Sequence, residues 1–341
     1  MIERDSHYTL PRSFRAGTVD GNADGVIHGS ALVSAAELGI ADALRDGPLP
    51  VDEIAKRTGT EAGNLFRLLR ALDTIGVFRQ TTPGVFENTS TSSYLRQDVA
   101  GSLWPMVRLW GRGWGYLEGN GALSETIRTG KTALFEDWGY DIWEHYRRHP
   151  EQWAVFNEAM RCMNIPATPT VTAAYDWSRF PVIADIAGGI GSQLVDILDA
   201  HPNCQGILFD QAEVIATAIS HPRMQSVAGS FFERIPVEAD AYVLRNIIHD
   251  WDDESAALIL RTLRPSVKED SRVMLVEWLI PETPGFHFGK WSDIVMMSSV
   301  GGRERTRSDF AKLFRAAGFE LVEVVPTASH FTIVIGRPTP A

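Results

Sequence analysis

From about residue 171 onward the sequence alternates short apolar runs with amphipathic ones, and few folds accept that order. The apolar runs are PVIADIA, GILFD, MQSVAG, AYVLRNI, RVMLVEWLI, ELVEVVPT and HFTIVIG. Helical runs are expected between the first five, DESAALILRTLRPSV among them, and SDFAKLFRAAGF precedes the sixth. Strands separated by helices build a mostly parallel sheet with helices on both faces. Only a short turn separates the last two runs, so they should pair antiparallel and reverse the final strand. Ligands of such sheets bind outside the carboxyl ends of the strands.

The first run ends in ADIAGGIGSQL, Ala184–Leu194. An acid, Asp185, precedes the glycines Gly188, Gly189 and Gly191, and a helix should start at Ser192. A dinucleotide loop wants G-x-G-x-x-G. Here Leu194 stands where the third glycine belongs, which disfavours a pyrophosphate, and no Gly-Lys-Ser/Thr follows to make a P-loop. A ligand without phosphates fits better. S-adenosylmethionine is such a ligand: glycines let its amino-acid tail approach the backbone, and Asp185 can attract its ammonium. Asp210 ends the next strand 25 residues later, where a carboxylate can accept hydrogen bonds from both ribose hydroxyls. The plainer alternative for Asp210 is an N-cap for QAEVIATAI. Ala187 occupies a loop position that usually holds glycine. Its methyl is small enough if the position does not require a positive φ.

Two further zones precede this one. Up to about residue 100, ALVSAAELGIADAL repeats its apolar residues at helical spacing, Leu32, Ala35, Leu38 and Leu44 among them. VDEIAKRTG and EAGNLFRLLRALDTIG read as two amphipathic helices joined at Gly59 and Thr60, and VFRQTTPGVFENT as a hairpin turning at Pro83-Gly84. Three helices and a hairpin suggest a winged helix. Residues 1–100 hold 10 Lys and Arg against 13 Asp and Glu, so packing or dimerisation is expected there rather than DNA binding. The zone from about 101 to 170 is helical and rich in aromatics, including Trp104, Trp110, Trp114, Tyr116, Trp138 and Trp153. These serve as helix-packing core or as the wall of a pocket for a flat ligand. The domain boundaries expected are 1–105, 106–170 and 171–341.

Bulk properties narrow the classes. A net charge of −11 disfavours a nucleic-acid partner. No apolar stretch reaches the roughly 18 residues of a membrane span, and the opening residues lack the apolar core of a signal peptide. The two cysteines, Cys162 and Cys204, form neither a metal pair nor a disulfide framework. A cytoplasmic setting is the expectation.

The sequence resembles the S-adenosylmethionine-dependent O-methyltransferases that act on small aromatic molecules, the caffeic-acid-type plant enzymes and their bacterial natural-product relatives. The resemblance covers nearly the whole chain. LGIADALRDGPL with LFRLLRALDTIGVF resembles that family's dimerisation domain, and FNEAM its substrate-lining helix. DIAGGIG, GSFFERIP, LRNIIHDWDDE, LVEWLIPE and GGRERT follow in family order. It implies a Rossmann-like, seven-stranded α/β catalytic domain behind an N-terminal, mainly α winged-helix dimerisation domain, and a homodimer. It implies that His249 is the general base, with Glu277 and Glu304 flanking and orienting it. Asp185, Gly188, Gly189, Gly191, Asp210, Gln211, Ser230, Phe231, Arg245 and Trp251 fall at cofactor positions, with Asp210, Arg245 and Trp251 directed at ribose and adenine. Phe156, Met160, Met163, Asn164, Asp293 and Met296 fall at substrate positions. The cofactor implied is S-adenosylmethionine, leaving as S-adenosylhomocysteine, with no metal. Three positions depart from the family pattern: Ala187 for a loop glycine, Ser230 for an aspartate at the adenine, and Met163 for a histidine.

The chemistry agrees with these residue types. The sulfonium already activates the methyl group, so the protein must align the acceptor and make it electron-rich. A phenol has a pKa near ~10, and a histidine poised near neutrality is the natural base for it. Asp252, Asp253 and Glu254 read as helix-opening acids rather than metal ligands. The plain alternatives are an ion pair of Glu277 with Arg272 or Arg305, and a solvated turn charge at Glu304. Ala187 and Ser230 keep open a relative with changed chemistry, such as carbon or nitrogen methylation, hydroxylation or rearrangement. Retention of His249, Glu277 and Glu304 argues against it. The Trp and Met residues around the pocket suggest a flat, hydrophobic acceptor.

Overall fold

The computed structural model describes residues 25–111 and 121–340; Trp114 and Tyr116 lie outside them. The chain divides into two compact units, Met1–Trp114 with Glu151–Cys162, and Gly115–Pro150 with Met163–Ala341. The helical zone expected over 106–170 is shared between them and forms no unit of its own.

In the first unit, helix α1 (Gly25–Glu37) stops short of Gly39, whose φ of 65° breaks the apolar run in two. Ala35 and Leu44 are buried, but Leu38, placed on the same apolar face by its spacing, is exposed. Helix α2 (Val51–Thr58) ends on left-handed Gly59, and α3 (Ala62–Thr74) is capped by the Glu61 carboxylate, which accepts from the N–H groups of Gly63 and Asn64. Strand β1 (Leu49–Pro50) pairs with the hairpin β2 (Phe78–Thr82) and β3 (Val85–Asn88), which turns at left-handed Gly84. Leu65, Leu69, Phe78 and Phe86 close the core between helices and wing. The winged arrangement read from the sequence is the one observed. Helix α4 (Pro150–Asn164) gives residues 151–162 to this unit.

The second unit is built on a seven-stranded sheet. In chain order its strands are β4 (Val182–Ile186), β5 (Gln205–Asp210), β6 (Met224–Ala228), β7 (Ala241–Arg245), β8 (Arg272–Glu277), β9 (Phe319–Pro326) and β10 (Thr332–Pro338). Their spatial order is β9-β10-β8-β7-β4-β5-β6. Strands β4 to β8 are parallel, and β10 runs antiparallel to both β8 and β9. Its register sets Thr332 opposite Glu277. The chain lays down β4, β5 and β6 toward one edge, then crosses to place β7 on the other side of β4. That reversal opens a crevice between the carboxyl ends of β4 and β7.

Helices α5 (Thr168–Ala174) and α6 (Ser192–Ala200) pack near one face of the sheet, with α7 (Asp253–Leu263) and α9 (Arg307–Ala316) on the other; α8 (Phe288–Ser299) lies between β8 and α9 in the chain. The central strands are buried on both faces, as parallel strands between helix layers must be. One expectation fails: no helix joins β6 to β7. Residues 229–240 are turns and coil. Pro236 interrupts any helical ladder there, and Phe231 and Phe232 pack edge-on against Trp251 instead of forming a helical stripe.

Candidate active site

The glycine loop leaves β4 through a strained residue. The Ala187 N–H donates to the Phe209 carbonyl at 2.7 Å, and Ala187 holds φ at 56°. Left-handed backbone is therefore required at this position, contrary to the condition under which alanine is neutral there. The strain costs about 1 kcal/mol. Gly189 and Gly191 follow with φ of 61° and 85°. At Gly188 a Cβ would stand 2.4 Å from the Asp185 carboxyl carbon and 2.7 Å from Leu208 Cδ1, so only hydrogen fits.

Asp185 is almost fully buried and its Oδ2 has no hydrogen-bond partner. Burial raises its pKa to about 7, against the pull of Arg245 and with the push of Asp210. A buried, unpartnered carboxylate oxygen beside a side-chain-free loop is a seat for a donor such as an ammonium. Asp210 is bound into the same loop: Oδ2 accepts from the Gly189 N–H at 2.8 Å and Oδ1 from the Gln211 N–H at 2.7 Å. It does not cap the following helix, whose N-cap is Gln211, without a capping bond. The cap alternative therefore falls away, and the carboxylate sits at the end of β5 where a ribose would need it. These groups fit S-adenosylmethionine.

Arg245, at the end of β7, donates to Thr168 Oγ1 at 2.8 Å, to Gln193 Oε1 at 2.7 Å and to the Asn164 carbonyl at 2.8 Å. All three partners are neutral, and its Nε is buried without a partner. Burial lowers its pKa to about 10, with Asp185 and Asp196 pulling it up. Asn246 next to it takes a left-handed φ of 53° and donates to Asn164 Oδ1 at 3.0 Å. Ser230 turns its hydroxyl back to accept from the Phe232 N–H. Phe231 and Trp251 are half-buried against each other.

His249 lies on a short 3-10 turn, Ile248–Asp250, just past β7. Its Nδ1 donates to Glu304 Oε1 at 3.0 Å, and its Nε2 stands 3.4 Å from Asp250 Oδ1. Burial pulls its pKa down, but Asp250, Glu304 and Glu277 together outweigh that and raise it to about 10. The acidic surroundings thus favour the imidazolium and set the base above the near-neutral value expected of it. Burial in turn raises Asp250 to about 6 and Glu277 to about 7, with His249 lowering both. Glu277, fully buried at the end of β8, pairs with neither Arg272 nor Arg305. Its Oε1 accepts from the N–H groups of Ile247 and Ile248, at 3.1 and 2.8 Å. It fixes the backbone that carries the imidazole, whereas Glu304 holds the ring. Glu304 is only 2 % exposed, which removes the solvated-turn alternative. Its Oε2 and that of Glu277 have no partner.

Helix α8 supports Glu304 from both sides. Asp293, expected to face substrate, accepts the Glu304 N–H at 2.8 Å; Ser292 donates its hydroxyl to Glu304 Oε1 at 2.8 Å. Met296 is buried on the same helix, and Met163 and Asn164 belong to this unit as well. Phe156 and Met160 lie on the part of α4 assigned to the other unit. The helix-opening acids behave as expected: Asp252 caps α7 by accepting from the Ser255 N–H.

Two supporting residues were not singled out as such from the sequence. The buried Arg305 guanidinium donates to the Ile248 and Trp251 carbonyls, at 2.8 and 2.9 Å, and is neutralised by Asp253. It clamps both ends of the turn that presents His249. At Gly302 a Cβ would fall 2.1 Å from the His249 carbonyl oxygen, so the GGRERT segment can approach that turn only through glycine. The signal available was the glycine pair beside two arginines; what it packs against was not in the sequence.

Comparison with known proteins gives a consistent result. Residues 121–320 match the family model described as an O-methyltransferase domain, and residues 22–98 the O-methyltransferase dimerisation domain. The chain is 38% identical over 318 residues to the phenazine O-methyltransferase PhzM of Lysobacter antibioticus, covering 90% of this chain and 92% of that protein. It is 33% identical to the 3-amino-4-hydroxybenzoate 4-O-methyltransferase of Streptomyces cremeus, covering 88% and 84%. Among solved structures, the O-methyltransferase NcsB1 of neocarzinostatin biosynthesis, in complex with S-adenosylmethionine and 2-hydroxy-5-methyl naphthoic acid, superposes with a TM-score of 0.79 at 30% identity, covering 91% of this chain and 96% of that one.

Proposed function

Because this chain belongs to the O-methyltransferase family and is an S-adenosylmethionine-dependent O-methyltransferase, we propose that its acceptor is a small aromatic phenol or enol and that His249 is its general base. The observation that carries this reading is the 3.0 Å contact of His249 Nδ1 with Glu304, one strand away from the Asp185 loop. With Nδ1 fixed on the Glu304 carboxylate, Nε2, 3.4 Å from Asp250 Oδ1, is the nitrogen that takes the acceptor's proton once it has given up its own. Glu304 then stabilises the imidazolium that results, and Glu277 keeps the turn from drifting. Asp185, Asp210 and the loop glycines would hold the cofactor, which supplies an electrophilic methyl on a cationic sulfur. A positive charge brought near the cluster disfavours the imidazolium, which acts in the direction of freeing the base. Relatives named for phenazine and aminohydroxybenzoate substrates support a flat acceptor. The N-terminal unit, with its dimerisation-domain match, supports a homodimer.

Calorimetric titration with S-adenosylmethionine, followed by a panel of phenols read by mass spectrometry, tests the reading. Binding with methylation of at least one phenol hydroxyl is expected. Turnover undiminished in His249→Ala would remove the base, and sedimentation as a monomer at micromolar concentration would remove the dimer.

A further inference from the structure

His330 sits in the turn between β9 and β10, two residues before Thr332, the partner of Glu277 in the sheet. This turn therefore lies at the same edge as the site. The His330 ring stacks on Trp278, with centroids 4.3 Å apart and planes at 21°, and Trp278 follows Glu277 directly. Trp278 in turn packs on Phe288 at the start of α8, the helix that bears Ser292, Asp293 and Met296. The neighbouring Phe331 lies under the Arg245 guanidinium, 4.7 Å from its carbon to the ring centre.

Within this aromatic corner two nitrogens are left over. His330 Nε2 and Arg245 Nε are both buried and neither has a hydrogen-bond partner. Burial and the Arg245 charge, against the pull of Glu304, lower the His330 pKa to about 4. Buried polar atoms in folded proteins are nearly always satisfied. Two unsatisfied nitrogens on one phenylalanine, beside a guanidinium whose hydrogen-bond partners are all neutral, suit an anionic oxygen ligand.

We propose that His330 is a specificity-determining residue that binds the carboxylate of a hydroxylated aromatic acid. This rests on the reading of the protein as a phenol methyltransferase and narrows its acceptor class. The cofactor carries a carboxylate too, so the test separates the two sources.

Binding to the protein saturated with S-adenosylhomocysteine is followed by tryptophan fluorescence, with 3-amino-4-hydroxybenzoate and 2-aminophenol as a pair differing only in the carboxylate. Wild type should bind the acid at least about tenfold more tightly than the phenol. His330→Phe keeps the stack and removes the nitrogen; it should lose that preference while binding 2-aminophenol as before. His330→Gln should restore part of it. Equal binding of the two probes by wild type overturns the proposal, as does equal weakening of both in His330→Phe. A loss of S-adenosylhomocysteine affinity in His330→Phe, with acceptor preference unchanged, would assign the carboxylate to the cofactor instead. Failure to methylate any phenol would sink the functional reading yet leave these binding constants interpretable.

Discussion

Glu304 Oε1 serves two donors at once, His249 Nδ1 at 3.0 Å and Ser292 Oγ at 2.8 Å, while Oε2 serves none. The imidazole is thus held by a carboxylate oxygen that is itself held by a hydroxyl. The dependence of His249 on this arrangement can be measured.

With His249 raised to about 10, the free enzyme should gain kcat/KM as pH climbs from 7 toward 10, because the base must first lose its proton. Replacing Glu304 by glutamine removes a charge that favours the imidazolium, so the rising limb should move to lower pH. The maximal rate should fall by roughly 10²-fold. Parallel pH–rate profiles of wild type and variant, measured with a phenol of known pKa, check this. Coincident limbs would show that the acceptor and not His249 is titrating.

Ser292→Ala should lower kcat about tenfold or more, the value of one hydrogen bond to a charged group, with KM little changed. It should also displace the pH limb, which loss of mere packing would not do. Ser292→Thr, which keeps the hydroxyl, should restore both. An unaltered profile in the alanine variant would leave Ser292 without a positioning role.

Asp185 sets function against stability. Its folded pKa is raised to about 7 from 3.8. The folded chain therefore keeps a proton that the unfolded chain releases, and stability drains away as pH rises from about 4 to about 7. Asp185→Asn removes that loss. At pH 8 the cofactor-free variant should melt roughly 5 °C higher than wild type, with a flatter dependence on pH. Its affinity for S-adenosylmethionine should fall ~30-fold or more. A melting temperature that drops instead would mean that Asp185 has a partner in the unliganded protein.

Ala187→Gly should separate strain from binding. The left-handed φ of 56° already exists without ligand, so bound and unbound states share its cost. Glycine should raise stability by about 0.5 kcal/mol, the strain relieved less the added chain entropy, and leave cofactor affinity nearly unchanged. Thermal melts and calorimetry give both numbers. A large gain in affinity would mean that alanine distorts the bound loop, and would favour a relative with altered chemistry.

What could be read from the sequence followed local rules. Period and punctuation placed the parallel strands, the reversed end, the hairpin at Gly84 and the loop after Asp185, since each depends on residues close together in the chain. The missing helix between β6 and β7 escaped because Phe231, Phe232, Ile235 and Val237 are apolar enough for a helix. Phe231 and Phe232 pack instead on Trp251, on a segment the pattern cannot see. The handedness at Ala187 escaped because alanine rarely adopts it. Family resemblance brought His249, Glu277 and Glu304 together by name, but their division of labour, one carboxylate on the ring and the other on the backbone, is a property of the folded geometry alone. The Arg305 clamp and the Gly302 approach likewise join residues some fifty positions apart.

The interior place of β10 has a consequence for synthesis. This strand, the latest of the seven to be made, is not an edge: it inserts between β8 and β9 and lays Thr332 against Glu277. Until it emerges from the ribosome, β8 is a bare strand edge with a buried carboxylate at its tip, open to pairing with any other extended chain. The catalytic unit cannot mature vectorially from its N-terminal side. Its sheet must wait for residues beyond 330, and the interval before they arrive is when a nascent chain is most exposed to misassembly and most dependent on chaperones.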